Sequence, residues 1–279
     1  MICISCGNTS FQLYSQDSAM NLPVYQCNFC KLYFNGNSEM EIKKRSQEIY
    51  SGDYWDERKS KESLESNYTD KISQYKRKHW LSQIEYCKLY LQEKKDLLEI
   101  GSGAGQALKY FEENGFNVTG IEPDSRNVEH INQKLEHGGH CIAGFIEEMT
   151  IDGTFDVIWI SHVFEHLIRP DILLEKCKSN LRKNGFIFIE VPECENYKMR
   201  NISMYENPST YHFTKNTLSS IAKNSGYKIM KCDSLRIANL FESIIMKIFG
   251  RLFRVVKFYP MVITQKDNGW IIRLILKKP

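Results

Sequence analysis

The chain has 279 residues, 42% hydrophobic and 25% charged, which suits one large globular domain or a medium domain with a small appendage. Nine cysteines, an odd number and mostly without pattern, argue against a secreted disulfide scaffold. With no run approaching ~18 apolar residues and no charged-then-apolar leader in "MICISCGNTS", a cytoplasmic protein is expected. The net charge of +3 is unevenly placed. Residues 236–279 carry nine Lys/Arg against Glu242 and Asp267, a balance of +7 that leaves −4 for residues 1–235. Most of the chain therefore lacks the basic footprint that nucleic-acid binding needs.

Residues 1–40 hold "CISC" and "CNFC", that is Cys3-x2-Cys6-x20-Cys27-x2-Cys30. Two such knuckles place four thiolates around one tetrahedral zinc. Four thiolates leave no open position for water, so the predicted zinc is structural and supplies the folding energy that so short a segment lacks. Zinc ribbons of this kind bind nucleic acid, bind proteins or cap a neighbouring site. Residues 41–92 are polar and mixed in charge, with helical spacing clearest at Trp80, Ile84, Cys87 and Leu91, and read as a helical connector or cap.

From residue 93 short apolar runs alternate with helical stretches, the pattern of βαβ units on a parallel sheet. Strands are expected at Asp96–Ile100, Asn117–Ile121, Cys141–Ala143, Phe155–Ile160, Gly185–Val191, Lys228–Asp233 and Gly269–Leu276. "DLLEIGSGAGQAL" joins the first of these to a helix through Gly101, Gly103 and Gly105. Such a turn permits positive φ and close backbone approach, and the helix N-terminus offers unpaired N–H groups. The spacing is G-x-G-x-G, with Gln106 where the dinucleotide fingerprint has its third glycine, which weakens an NAD reading. Glu122, at the end of "VTGIE", can accept both ribose hydroxyls of an adenosine.

"LLEIGSGAG", "GIEPD", "FDVIWISHVFEHL" and "LRKNGFIFIEVP" occur in an order and spacing that resembles class I S-adenosylmethionine (SAM)-dependent methyltransferases, over roughly residues 94–233. The resemblance implies an α/β, Rossmann-like seven-stranded sheet over residues 93–279, with Gly269–Leu276 as its antiparallel member and the zinc ribbon ahead of it. It also implies that Glu99, Gly101, Gly103 and Gly105 line the methionine part of SAM, that Glu122 holds the ribose, and that Ile146 packs on adenine. Phe145 stands where many relatives carry an acid. Ser161 and His162 fall where the family lines the methyl-donor pocket.

Three histidines are candidate general bases: His162 and His166, read as opening a helix after the fourth strand, and His212 in "STYHFTKNTL", favoured among them. His166 fits equally well as a helix histidine bonded to a neighbouring loop, and Tyr211-His212-Phe213 also fits a loop anchor. No H-E-x-x-H, EF-hand or G-x-S-x-G motif is present. Residues 238–260 read as a basic amphipathic helix, with Lys247, Arg251, Arg254 and Lys257 on one side. Such a helix either packs on the domain or lies at the inner face of an anionic membrane.

A zinc ribbon ahead of such a domain is similar to enzymes of surface-polysaccharide and sugar modification, which implies O-methylation of a sugar or glycan precursor. RNA methylation with the ribbon docking the nucleic acid, and a non-catalytic SAM-binding module, are the competing readings.

Overall fold

The computed structural model describes residues 2–36, 38–49, 74–239, 241–242, 261–264 and 266–278. Three short strands, β1 (Phe11–Ser15), β2 (Val24–Cys27) and β3 (Tyr33–Asn35), form an antiparallel meander that carries both cysteine knuckles, followed by helix α1 (Glu39–Glu48). Ser38 caps α1 by accepting the Glu41 N–H. Helix α2 (Gln74–Leu91) then leads into the large domain.

That domain runs β4 (Asp96–Ile100), α3 (Gln106–Glu113), β5 (Asn117–Glu122), α4 (Ser125–Lys134), β6 (His140–Ala143), β7 (Phe155–Ser161), α5 (Pro170–Asn180) and β8 (Leu181–Pro192). It continues with α6 (Tyr197–Tyr205), β9 (Tyr211–His212), α7 (Lys215–Asn224), β10 (Lys228–Ile237), β11 (Met261–Thr264) and β12 (Ile271–Lys277). The large sheet has the order β11-β10-β12-β8-β7-β4-β5-β6. β8, β7, β4, β5 and β6 are parallel, and β12 runs antiparallel between β8 and β10. The seven expected strands are all present. β11 adds an eighth that pairs with β10 at the edge.

The central strands are apolar on both faces, as a sheet covered on both sides requires. Leu98, Ile100, Ile158, Ile160, Ile187 and Ile189 face a layer built by α5, α7 and the cysteine meander, through Leu173, Leu218, Leu32 and Phe34. Leu97, Val157, Trp159, Phe186 and Phe188 face α3, α4 and α2, through Phe111, Ile131 and Cys87.

Two readings change here. The helix expected to open at His162 is a single 3-10 turn, Phe164–His166, and α5 starts only at Pro170. Proline disfavours helical backbone in the residue before it but fits the first helical position itself. The segment after β8 returns as β9 and adds a fourth strand to the meander, Tyr33 opposite His212 and Phe34 opposite Tyr211. Most of the basic amphipathic stretch at 238–260 lies outside the described residues. Among the described residues no helix is long and apolar enough to cross a membrane.

Candidate active site

The glycine turn lies at the carboxyl ends of β4, β5 and β7, where open α/β sheets place their ligands. Gly101 has φ 73° and donates its N–H to the Ile121 carbonyl at 2.7 Å. A Cβ there would fall 2.2 Å from Val163 Cγ2, so no other residue fits. Gly103, at φ 54°, has nothing within 4 Å of where a Cβ would be. That space opens into a groove beside the turn. α3 begins immediately after Gly105 with no side-chain cap, which leaves its first N–H groups available.

Two cavities meet at this turn. The first, of 270 Å³, extends from Gly101 and Gly103 past Glu122 to Phe145, Ile146 and Glu147, with Ser46 and His166 on its walls. The second, of 480 Å³, extends the other way past Glu99 to His79, Trp80, Met199 and Trp270. Gly101, Gly103, Ser161 and His162 line both, so the two are lobes of one groove.

Of the predicted cofactor residues, Glu99, Gly101, Gly103, Glu122, Ile146 and Ser161 line it, whereas Gly105 packs toward Ile131 and lines neither lobe. Glu122, 5% exposed, accepts the N–H groups of Gly103 at 2.9 Å and Asp124 at 3.2 Å. Burial nevertheless raises its pKa. Glu99 is buried, and its Oε2 has no hydrogen-bond partner. Burial, with Glu122 nearby, pushes its pKa up to about 8, so it is neutral at pH 7 and able to donate. Ser161 accepts the Gln83 side-chain N–H at 2.8 Å. An adenosine with a sulfonium tail fits this set: a carboxylate at ribose position, open space at Gly103, an orphaned acid at Glu99 and an apolar slot at Ile146.

His162 stands where the lobes meet, at φ 54°, with its side chain 43% exposed. Its Nδ1 lies 3.4 Å from Glu165 and its Nε2 3.2 Å from Glu190. Burial opposes the charge, but the two carboxylates outweigh it and raise the pKa to about 10. With an acceptor at each nitrogen the resting ring is an imidazolium.

Glu190 was not singled out in the sequence. It is fully buried at the end of β8 and faces Arg273 of β12, whose Nε donates at 2.5 Å. His79 and Gln83 of α2 also donate to it, at 2.7 and 2.6 Å. Burial works against its charge, yet Arg273 and the two histidines hold the carboxyl well below its usual range. The available signal was one charge inside each of two apolar strands, "FIFIEVP" and "WIIRLILKK". Trp80 and Trp270, from elements far apart in the chain, carried no comparable signal.

Of the other histidines, His166 reaches the first lobe, while its Nδ1–H donates to the Pro208 carbonyl at 3.0 Å. The structure does not bring His212, the favoured candidate base, to the groove. Its residue is fully buried in β9 and lines neither lobe. Its Nδ1 accepts from Ser203 at 2.8 Å, and its Nε2–H donates to Asn35 Oδ1 at 3.3 Å. Asn35 is oriented by its amide, which donates to the Ser209 carbonyl. Burial lowers the His212 pKa to about 3, so the ring is a neutral strut between the meander and the large domain.

The four cysteines converge. Cys3, Cys6, Cys27 and Cys30 bring their sulfurs within 4.8 Å of one another, with Cys3 3.5 Å from Cys30 and Cys6 3.6 Å from Cys27. The sulfur–sulfur edge around a tetrahedral zinc is roughly 3.8 Å, so the donor set suits that ion.

Comparison with known proteins agrees with this geometry. A methyltransferase-domain family model matches residues 72–231, more than half of the chain. An uncharacterized methyltransferase of Alkaliphilus oremlandii is 29% identical over 180 residues, 59% of this chain and 81% of that one. A ubiquinone biosynthesis O-methyltransferase of Actinobacillus pleuropneumoniae serotype 7 is 25% identical over 46% of this chain, and the match spans only 60% of that protein. Among solved structures, the Burkholderia thailandensis 1,6-didemethyltoxoflavin-N1-methyltransferase, bound to 1,6-didemethyltoxoflavin and S-adenosylhomocysteine, superposes with a TM-score of 0.58 at 14% identity, covering 91% of this chain and 98% of that one. The family match, with the glycine turn and the buried carboxylate of Glu122 beside it, establishes that this chain belongs to the methyltransferase-domain family and is a SAM-dependent methyltransferase.

Proposed function

We propose that the protein methylates a hydroxyl group of a sugar or glycan precursor bound in the 480 Å³ lobe. The observation that carries this reading is the makeup of that lobe. The half-exposed Trp270 and the indole of Trp80 offer flat apolar faces, and His162, His79 and Gln83 form a polar floor beside the glycine turn. A ring with apolar faces and hydroxyl edges suits such a wall and floor. The buried indole N–H of Trp80 lacks a hydrogen-bond partner and is a further donor for the acceptor.

When bound, SAM supplies an electrophilic methyl on a sulfonium sulfur. The chain's task is to position the acceptor oxygen and take its proton. His162 is the ionisable group shared by both lobes. Its longer contact, 3.4 Å to Glu165, is the one an entering hydroxyl would replace. Once Nδ1 has lost its proton to solvent, the neutral imidazole accepts the hydroxyl proton there as the C–O bond forms and the C–S bond breaks. Arg273 and His79 keep Glu190 charged and the ring fixed in place throughout.

The Cys3, Cys6, Cys27 and Cys30 cluster is read as a structural zinc site, supported by the sulfur spacing. The test of the activity is incubation with methyl-labelled SAM and a fractionated cell extract. Label in nucleotide-sugar or lipid-linked glycan fractions is the expected result, and label in RNA would overturn the acceptor assignment.

A further inference from the structure

The helix carried by the cysteine meander reaches the cofactor lobe, and one residue on it has no structural explanation. Ile42 and Ser46 are the buried residues of α1, one helical turn apart. Ile42 packs with Met20 and Leu22. Ser46 is 7% exposed, lines the 270 Å³ lobe, and its hydroxyl has no hydrogen-bond partner. An apolar residue would be cheaper there, because an unpaired buried hydroxyl costs about 1–3 kcal/mol.

The place of Ser46 along the lobe identifies its ligand atoms. With the ribose on Glu122 and the tail along the glycine turn, the base lies on the far side, toward Gly144–Glu147. Phe145 and Ile146 line that end, and the Glu147 carboxylate is turned to the N–H groups of Ile168 and Arg169 at 2.8 and 2.9 Å. α1 is fixed over this loop by Lys43 to Glu148 at 2.9 Å and Gln47 to Glu148 at 3.1 Å. It is tied to the meander by Arg45, which donates to the Met20 carbonyl at 2.8 Å.

We propose that Ser46 is a cofactor-binding residue whose hydroxyl pairs with the polar edge of the adenine ring, so that a helix of the cysteine-bearing unit completes the cofactor site. This rests on the methyltransferase reading. An adenine edge buried among Phe145 and Ile146 needs a partner, and the orphaned hydroxyl is one that can both donate and accept.

The test is calorimetric titration of the full-length protein and its Ser46→Ala variant with S-adenosylhomocysteine and with S-inosylhomocysteine, in which a carbonyl replaces the adenine amine. Ser46→Ala should weaken binding of both ligands about three- to tenfold, because the hydroxyl donates to the hypoxanthine carbonyl as readily as it accepts from the adenine amine. The ligand-free variant should melt at the wild-type temperature or higher, since it loses only an unpaired hydroxyl. Equal affinities for wild type and variant, or a lower melting temperature in the ligand-free variant, would overturn the assignment. Failure of the wild type itself to bind S-adenosylhomocysteine would instead bring down the methyltransferase reading and this inference with it.

Discussion

Glu190 shows what a single residue contributes. It is a buried anion that receives Arg273, His79, Gln83 and His162, and so joins the sheet, the capping helix and the acceptor floor. Glu190→Gln would leave Arg273, 1% exposed, without its counter-charge, and the stability loss measured by urea unfolding should be about 3–5 kcal/mol. His162 sets the pH response of the reaction. If the ring must lose a proton before it serves as base, kcat/KM rises with pH toward about 10. His162→Gln should flatten that profile and cut the rate by about 10²–10⁴; an unchanged profile would reduce the residue to a spectator. His212 sets a pH response of stability instead. Its folded pKa of about 3 lies below the unfolded value of about 6.5, so between those limits the unfolded chain binds the extra proton. Stability should fall by up to about 1.4 kcal/mol per pH unit as the pH drops below about 6.5, and His212→Gln should remove that slope.

Among the elements, β9 has two residues and the widest consequence. It closes the cysteine meander onto the large domain, and the carbonyls of Ser209 and Thr210 bond to Asn35 of β3. Thr210 in turn donates to the carbonyls of Glu165 and His166, beside the cofactor lobe. Folding of the meander is thereby tied to the geometry of the active site. Purified protein should carry about one zinc per chain, and Cys27→Ser should lose it together with cooperative unfolding of the meander. Metal analysis and thermal unfolding check this, and a metal-free variant that melts like the wild type would remove zinc from the account. Two very short strands far apart in the chain, such as β3 and β9, cannot announce their pairing in the sequence, because nothing local records which edge a two-residue strand will join.

At the scale of the molecule, the groove lies across the carboxyl ends of the parallel strands, with its two lobes on opposite sides of one glycine turn. Ligand at ~100 times its dissociation constant adds about 2.7 kcal/mol to folding, and a chain of this size should then melt several degrees higher. SAM should give that shift in the wild type, and Glu122→Ala, which also loses the acceptor of two backbone N–H groups and so melts lower without ligand, should show no further shift at the same SAM concentration. A thermal shift series measures both.

The sequence by itself determined the parallel sheet, the glycine turn with Glu122, and the four-cysteine set. Each is written in local order: apolar runs of strand length, glycines where only positive φ fits, and thiols at knuckle spacing. The boundaries of β4 match the expectation residue for residue, because Asp96–Ile100 is flanked by polar residues on one side and Gly101 on the other. Tertiary structure alone decided which histidine faces the groove. His162 and His212 are alike as residue types, and a sequence gives no measure of burial. One is placed by the end of β7 between two carboxylates at the meeting of the lobes; the other is taken into a strand pairing with β3 and hydrogen-bonds a side chain 177 positions away. The same holds for Glu190 and Arg273, whose roles come from partners brought together only when the sheet and the capping helix close over one another.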